Sequence, residues 1–190
     1  MRKIVDTYQL YKAATTLPVT LADAKDHLRL TGTDHDDLIT DLIWGAVKSF
    51  EKRANVCLST QHWKAFTDKG YEELELWKYP ITEITSIQYY DDDNALQTLS
   101  TDDYYSNANH SSTGWNPRPI VIFVEDVPST YDREDAFIVT FQAGYSSIDL
   151  DVKQAIYNWV YRMYENPNDP VSERLSFWDS VVADNRSYGL

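Results

Sequence analysis

Residues 18–63 read PVTLADAKDHLRLTGTDHDDLITDLIWGAVKSFEKRANVCLSTQHW, a pattern that predicts two capped amphipathic helices leading into a strand. Thr20 is suited to cap the first helix, because its hydroxyl oxygen can accept a backbone N–H of the first turn. Asp23 follows three residues later, near the positive end of the helix dipole. Gly32 can adopt the left-handed conformation that closes a helix, so we expect the first helix at about 20–30.

The second predicted helix begins in the acidic run Asp34–Asp37, where carboxylates favour a positive helix end, and spans about 36–54. This role fits the run better than metal binding. At 100° per residue the apolar positions cover about half of the circumference, a broad core-facing surface. They are Leu38, Ile39, Leu42, Ile43, Ala46, Val47 and Phe50. Trp44 falls outside this sector, so it lies either under the β region or against a neighbouring molecule.

From residue 59 to residue 143 the pattern changes to short alternating or apolar runs, which are typical of strands. The candidate strands are Thr60–Thr67, Glu73–Trp77, Ile84–Tyr90, Leu96–Leu99, Ile120–Glu125 and Phe137–Gln142. Asp91–Asn94 is predicted to be a hairpin turn, and Ser106–Pro119, with its Asn, Ser, Gly and Pro residues, a loop.

A third amphipathic helix is predicted from Asp151 to about Glu165. Its core stripe comprises Val152, Ala155, Ile156, Trp159, Val160 and Met163. Beside this stripe run Tyr157, Tyr161 and Tyr164. These tyrosines either are buried within one subunit or face another, and together with Trp44 they are our candidates for a subunit interface.

A hinge and a short tail follow the third helix. Asn166–Pro170 ends the helix, because proline cannot continue it. In the tail, an apolar stripe at helical spacing comprises Val171, Leu175, Trp178 and Val182. A helix this short is marginal alone, so it must pack either on its own domain or in a groove on a partner.

The order of helices, strands and helices predicts an α+β fold and argues against a doubly wound parallel sheet. We expect a helical core, made of two N-terminal helices and one C-terminal helix, with a β-rich insertion at 59–143. The predicted organisation is an N-terminal arm at 1–17, a main domain at 18–167 and a hinged tail at 168–190.

Composition excludes some classes of function. The formal net charge of −13 argues against tight general binding to nucleic acid, which needs Lys and Arg to neutralise phosphates. One cysteine, Cys57, allows no intramolecular disulfide and is expected to be a small buried residue. Neither a signal peptide nor a membrane span is evident, which predicts a protein made in the cytoplasm without membrane attachment.

No motif points to catalysis. None of the four histidines is paired at metal-binding spacing, and Asp91–Asp93 lacks the glycine and distant glutamate of a calcium loop. The six glycines form no phosphate-binding loop, and no GxSxG nucleophile pattern occurs. We therefore predict no catalytic residue, no metal, no cofactor and no enzymatic activity.

The chain resembles the head–tail connector proteins of tailed bacteriophages, also called adaptor or head-completion proteins. The resemblance covers about Leu17 to Pro167 and depends on the order of several phrases. These are PVTLADAKDHLRL, DDLITDLIWGAVKSFEKRANVCLSTQHW, YPITEITSIQYYDDDNALQTLSTDDYY, FIVTFQAGYSS and DVKQAIYNWVYRMYENP.

The resemblance implies a ring, usually of twelve copies, that lies under the portal in the virion neck at the head–tail junction. Such a ring extends the channel for passing double-stranded DNA, without binding it specifically, and docks a stopper or tail-completion protein. In the family that the chain resembles, the C-terminal segment commonly reaches the portal. Here the corresponding candidates are Val171, Leu175, Trp178, Val182, Arg186 and Tyr188.

Three interpretations stay open at this level. The chain is the connector itself, another neck component such as a stopper or tail-completion protein, or, third, an unrecognised enzyme. The acidic loop residues Asp91–Asp93 or Asp102–Asp103 face either the DNA channel or bulk solvent.

Overall fold

The structure is a computed structural model that describes residues 2–5, 7–106, 120–124, 127–167 and 176–186. In chain order the elements are β1 (Arg2–Ile4), β2 (Thr7–Lys12), α1 (Leu21–Leu28), α2 (Asp36–Ala54), β3 (Gln61–Thr67), β4 (Glu73–Glu75), β5 (Ile81–Tyr90), β6 (Leu96–Thr98), β7 (Tyr104–Ser106), β8 (Ile120–Phe123), β9 (Phe137–Ala143), α3 (Leu150–Glu165) and α4 (Ser176–Asp184). The predicted α+β class is confirmed.

The chain divides into two compact units. The β unit comprises residues 1–14 and 60–144. The helical unit comprises residues 15–59 and the described residues from 145 onward. The helical unit is thus assembled from two stretches of chain separated by the whole of the β region.

In the helical unit, α1 begins as predicted, because the Asp23 N–H donates to Thr20 Oγ1 at 3.0 Å. Its end differs from the prediction. Arg29 adopts the left-handed conformation with φ 58° and donates its N–H to the Asp26 carbonyl, so the helix stops before Gly32. Gly32 also has a positive φ but lies in the following turn. Hydrogen bonds at the helix end can therefore hold a non-glycine residue in this conformation.

Helix α2 has Asp36 and Asp37 in its first turn, as expected for carboxylates near a positive helix end. Asp36 also forms an ion pair with Lys25, which lies on α1. The prediction that Leu38 belongs to the core is wrong, since its side chain is 50% exposed. The buried stripe is narrower than predicted and follows Ile39, Ile43, Ala46, Val47, Phe50 and Ala54.

Helix α3 packs against α2. Its buried residues are Val152, Ala155, Ile156, Tyr157 and Val160. Gly45 permits the close approach of the two helices, because a Cβ there would lie 3.3 Å from the Trp159 ring. Cys57 follows α2 and is buried, as the sequence predicts.

The β unit contains two sheets. The five-stranded sheet has the order β2-β3-β9-β5-β6 with every neighbouring pair antiparallel. The four-stranded sheet has the order β1-β4-β8-β7, in which β1 and β4 are parallel. Phe123 of β8 meets Phe137 of β9 edge-on, with ring centroids 5.5 Å apart, so the two sheets share a core.

The N-terminal residues form strands that the sequence analysis did not predict. Residues 1–17 were expected to be an arm, but β2 pairs with β3 in a register that places Leu10 opposite Trp63. Strand β7 was also not predicted. Each of these segments lies at a sheet edge and depends on one neighbouring strand, so its own sequence carries only a weak signal. Most of the predicted Ser106–Pro119 loop lies outside the described residues.

Candidate partner-binding surfaces

The tail helix α4 docks on its own helical unit. Trp178 is only 4% exposed, and its ring lies edge-on against Phe50 with centroids 5.4 Å apart. The same indole lies 6.2 Å from the Trp159 ring, and both Val181 and Val182 are buried. Of the two arrangements that the sequence left open for Trp178 and Val182, the structure has packing on the chain's own helices.

An ion pair at the surface accompanies this docking. Arg53 near the end of α2 donates to Asp179 Oδ1 at 3.1 Å, with both side chains substantially exposed. Exposed pairs of this kind contribute about 0–1 kcal/mol. The aromatic contacts, and not the ion pair, therefore hold α4 in place.

The other predicted portal-binding residues are placed differently. Val171, Leu175 and Tyr188 lie outside the described residues. Arg186 is exposed, immediately beyond α4, and its backbone N–H donates to the Ala183 carbonyl. Arg186 is thus the described member of the predicted set that presents its side chain to solvent.

A small open pocket lies beside the C-terminal end of α4. Its floor is apolar and includes Phe50, Val56, Leu58, Ile148 and Val152. Asn185 and Asp149 supply polar groups to its lining. The pocket thus combines an apolar lining with the nearby carboxylate of Asp149.

The predicted tyrosine stripe on α3 separates into buried and exposed members. Tyr157 is 8% exposed and stacks on His27 with centroids 5.5 Å apart. Burial, and secondly the charge of Asp23, raise the pKa of Tyr157. Tyr164 meets His35 edge-on at 5.6 Å, whereas Tyr161 is 50% exposed. Two of the three rings therefore pack within the helical unit.

The helical unit exposes further apolar side chains that sequence reasoning did not single out as partner-binding. Leu150 is 72% exposed at the start of α3, and Phe177 is 47% exposed on α4 beside the buried Trp178. Trp44 is half-buried. The helical periodicity of the tail could have predicted that Phe177 is exposed, because Phe177 does not lie on the apolar stripe that contains Trp178 and Val182. No pattern in the sequence predicts the exposure of Leu150.

In the β unit, aromatic rings and lysines lie together near β2. Lys64 Nζ lies 4.8 Å from the Tyr11 ring centroid, and Lys78 Nζ lies 4.4 Å from that of Trp63. Cation–π contacts at exposed sites contribute about 0.5–1 kcal/mol. They leave these positive charges on the β2 side of the five-stranded sheet.

The turn between β5 and β6 is acidic and well ordered by hydrogen bonds. Asp91 accepts hydrogen bonds from the backbone N–H of Ala95, the side-chain amide of Gln97 and the backbone N–H of Asp93. These bonds hold the pKa of Asp91 below its usual value. Ser129 donates to Asp92 at 2.7 Å. Asp91–Asn94 is therefore a turn, as predicted.

Metal and membrane features are not evident in the described parts of the chain. Within them, no group of three or more His, Cys, Asp or Glu residues could hold a metal ion. Among the helices of the described ranges, none has the length and apolar character to cross a membrane.

Comparison with known proteins gives a family match. The family model described as "Phage gp6-like head-tail connector protein" matches residues 18–117, which is just over half of the 190 residues. These residues include α1, α2 and much of the β unit. No curated protein matches the chain.

Solved structures with a similar fold come from gene transfer agent particles. A chain in the neck of an empty particle, computed with C6 symmetry, aligns with a TM-score of 0.78 at 16% identity and covers 97% of each chain. A chain in the neck of a native particle, computed with C12 symmetry, aligns with a TM-score of 0.72 at 16% identity. This second match covers 96% of the present chain and 97% of the other. At this identity the likeness concerns the fold.

Proposed function

The chain belongs to the family of phage gp6-like head–tail connector proteins, and we propose that it acts as the adaptor, the ring bound directly beneath the portal. The observation that carries this proposal is the family match across α1, α2 and much of the β unit. The similar fold of chains from particle necks supports it. In this proposal the protein works by assembly and not by catalysis, at the head–tail junction of a virion, after synthesis in the host cytoplasm.

A ring of twelve copies is the assembly that this function requires. The similar neck structures, which were computed with C6 and C12 symmetry, support it. A closed ring uses heterologous contacts, in which each copy offers two different surfaces to its two neighbours. Of the predicted interface residues Trp44, Tyr157, Tyr161 and Tyr164, Tyr161 has the most exposed ring and is the one best suited to a neighbour.

Portal binding is assigned to the C-terminal end of α4 and the residues after it. Trp178 and Val182 pack on the helical unit, so their role is to hold α4 in place. The position of α4 then determines where the residues after Asp184 begin. Arg186 is exposed there, and the pocket lined by Asn185 and Asp149 lies beside it. Val171, Leu175 and Tyr188 complete the predicted contact set.

The proposed passage of DNA through the ring depends on the negative charge of the protein. A channel wall with a net negative charge repels phosphates and lets DNA slide without being bound. The formal charge of −13 supports this role, with Asp91–Asp93 or Asp102–Asp103 as the channel-facing candidates. A stopper or tail-completion protein would dock on the far side of the ring.

A second candidate is a different neck component, such as a stopper or tail-completion protein. The similar gene transfer agent chains favour it as much as the adaptor, because they belong to the particle neck as a whole and not to one identified layer of it. The two candidates differ in one testable property, since only the adaptor binds the portal ring directly.

The experiment is binding of the purified chain to the portal ring of its own phage. Three forms are compared: the full chain, a chain ending after Asn185, and Arg186→Glu. The shortened chain keeps α4 and the Trp178–Phe50 contact, so a lost interaction reports the tail and not a damaged fold. Binding by the full chain and loss in the other two forms supports the adaptor. No binding by a folded full chain, with binding to the tail-completion protein instead, overturns it in favour of the second candidate.

A further inference from the structure

The five-stranded sheet has two edges of opposite chemical character, and we propose that they join neighbouring copies in the ring. Strand β2 of one copy contacts the β5–β6 hairpin (Tyr89–Thr98) of the next copy. Asp91–Asp93 then lie at this contact, which leaves Asp102–Asp103 as the channel-facing candidates. The inference rests on the proposed ring, and it names the surfaces and the partner, a second copy of this chain.

The β2 edge is exposed and partly apolar. Every side chain from Thr7 to Lys12 is exposed except that of Tyr8, which is half-buried. Leu10 is 44% exposed and Tyr11 is 63% exposed. The exposed side chains of Leu10 and Tyr11 at this edge are available to another chain. A register shift between Leu10 and Lys12, however, interrupts regular backbone pairing, so side chains make this contact.

The charge of the β2 edge is positive in an otherwise acidic protein. The chain has 30 acidic and 17 basic residues, yet β2 and β3 contain no Asp or Glu. They contribute Lys12 and Lys64, and Lys78 lies over Trp63 of β3. Trp63 and Lys64 point to opposite faces of the sheet, so the lysines and the exposed Leu10 and Tyr11 give this edge a basic and apolar character on both faces.

The opposite edge has the reverse character. All three residues of β6 are exposed, and Leu96 is 48% exposed. Between Gln88 and Thr98 the chain has three aspartates, Asp91–Asp93, and no Lys or Arg. The nearby Arg133 is held by both carboxylate oxygens of Asp135 and lies over the Tyr90 ring, with an added bond to Asn94. The hairpin therefore presents an apolar residue framed by carboxylates.

The placement of the two edges fits a ring. Strands β3, β9 and β5 separate β2 from β6, so the two surfaces lie at opposite edges of one sheet. Contact of a basic edge with an acidic edge is attractive, whereas contact of two like edges is repulsive. This polarity favours head-to-tail association, which closes into rings, over two-fold dimers.

Charge reversal tests the proposal on the chain together with its portal ring. One variant carries Lys12→Glu and Lys64→Glu; the other carries Asp92→Lys and Asp93→Lys. Controls with the same charge changes in the helical unit carry Lys48→Glu with Lys52→Glu, or Asp26→Lys with Asp41→Lys, all at exposed positions. Circular dichroism verifies the fold of each, and mass photometry gives the number of copies per assembly.

We expect each edge variant alone to associate at least ten-fold more weakly than the wild type, while the controls form normal rings. An equal mixture of the two edge variants should restore rings, because every contact in an alternating ring then joins opposite charges. Restoration is a result that general misfolding cannot produce.

Three results overturn the proposal. Normal rings from both edge variants would show that the edges do not meet. Weak association that the mixture fails to restore would show that the two edges are not each other's partners, and variants that form rings but lose the portal would assign an edge to the portal instead. In each of these cases the wild-type ring still stands, whereas absence of a wild-type ring with the portal present overturns the adaptor function as well.

Discussion

The indole of Trp178 lies edge-on against the ring of Phe50, with the two ring centroids 5.4 Å apart. Trp178 belongs to α4 and Phe50 to α2, two helices that are far apart in the sequence. Their contact joins the tail helix to the helical unit before the chain reaches Arg186. The position of the C-terminal residues thus depends on an aromatic contact that the local sequence does not specify.

Replacing Trp178 by Ala should destabilise the helical unit. Truncation of a buried Trp costs about 3–5 kcal/mol, and the loss here should fall at or below the lower end because a nine-residue α4 can detach and limit the cavity. Urea unfolding followed by far-UV circular dichroism measures the change. The neighbouring variant Phe177→Ala is the control, since that side chain is 47% exposed and should change stability by less than about 0.5 kcal/mol. Equal effects of the two variants would contradict the observed orientation of α4.

Thr20→Ala should weaken the start of α1. The substitution leaves the Asp23 N–H without its 3.0 Å bond to the threonine hydroxyl, at a cost of about 1 kcal/mol. Thr20→Ser keeps the acceptor oxygen and should stay within a few tenths of a kcal/mol of the wild type. Thermal melting of the three proteins distinguishes the cases. A serine variant as unstable as the alanine variant would argue against the capping role.

Gly70→Ala should strain the β unit. A Cβ at this position would lie 2.1 Å from Cγ1 of Val127. Valine is β-branched and has few rotamers with which to yield, so overpacking of about 1–3 kcal/mol is expected. Val127→Ala removes the obstructing methyl group. The double variant should therefore be more stable than Gly70→Ala alone, and denaturant unfolding of all four proteins gives the coupling. Additive effects would show that the two residues do not meet.

Tyr157 should make the protein less stable at alkaline pH. Its raised pKa means that the folded state favours the neutral phenol more than the unfolded state does. The stabilisation is fully present below the unfolded pKa of about 10, and it is lost as the pH rises through the higher pKa of the folded state. Tyr157→Phe should reduce this loss. Melting temperatures from pH 8 to pH 11 and the absorbance of tyrosinate give the measurement.

Tyr71 and Tyr104 also have raised pKa values, so some alkaline loss remains in the phenylalanine variant. Asp23→Asn offers a finer test, because it removes the charge that adds to the effect of burial. In that variant the late tyrosine titration should move towards lower pH. An unchanged titration would show that the charge of Asp23 does not affect the pKa of the Tyr157 phenol.

Local patterns in the sequence predicted much of the fold. The cap at Thr20, the buried stripe of α2 from Ile39 to Phe50 and the turn at Asp91–Asn94 depend on neighbouring residues alone, and the structure has each of them. The edge strands β1, β2 and β7 were not predicted, because their formation depends on residues outside their own segments. Each lies at a sheet edge and pairs with one strand, and the partners of β1 and β2 are remote in sequence.

The candidate interfaces were less predictable still. Periodicity identified the stripe that includes Trp178 and Val182 but left its partner open, since an apolar stripe is equally suited to the chain's own helices and to another protein. Likewise, the charges of Lys64 and Asp92 are visible in the sequence, but their separation to opposite sides of one sheet is not.

The sequence by itself therefore determined the helices, the Thr20 cap of α1, the acidic character and the family. Tertiary structure alone decided where α4 docks, which aromatic rings are exposed and which charges share an edge. The physical reason is distance along the chain. Helix periodicity and turn chemistry act over a few residues, whereas burial and strand order arise from contacts between residues such as Phe50 and Trp178 that only folding brings together.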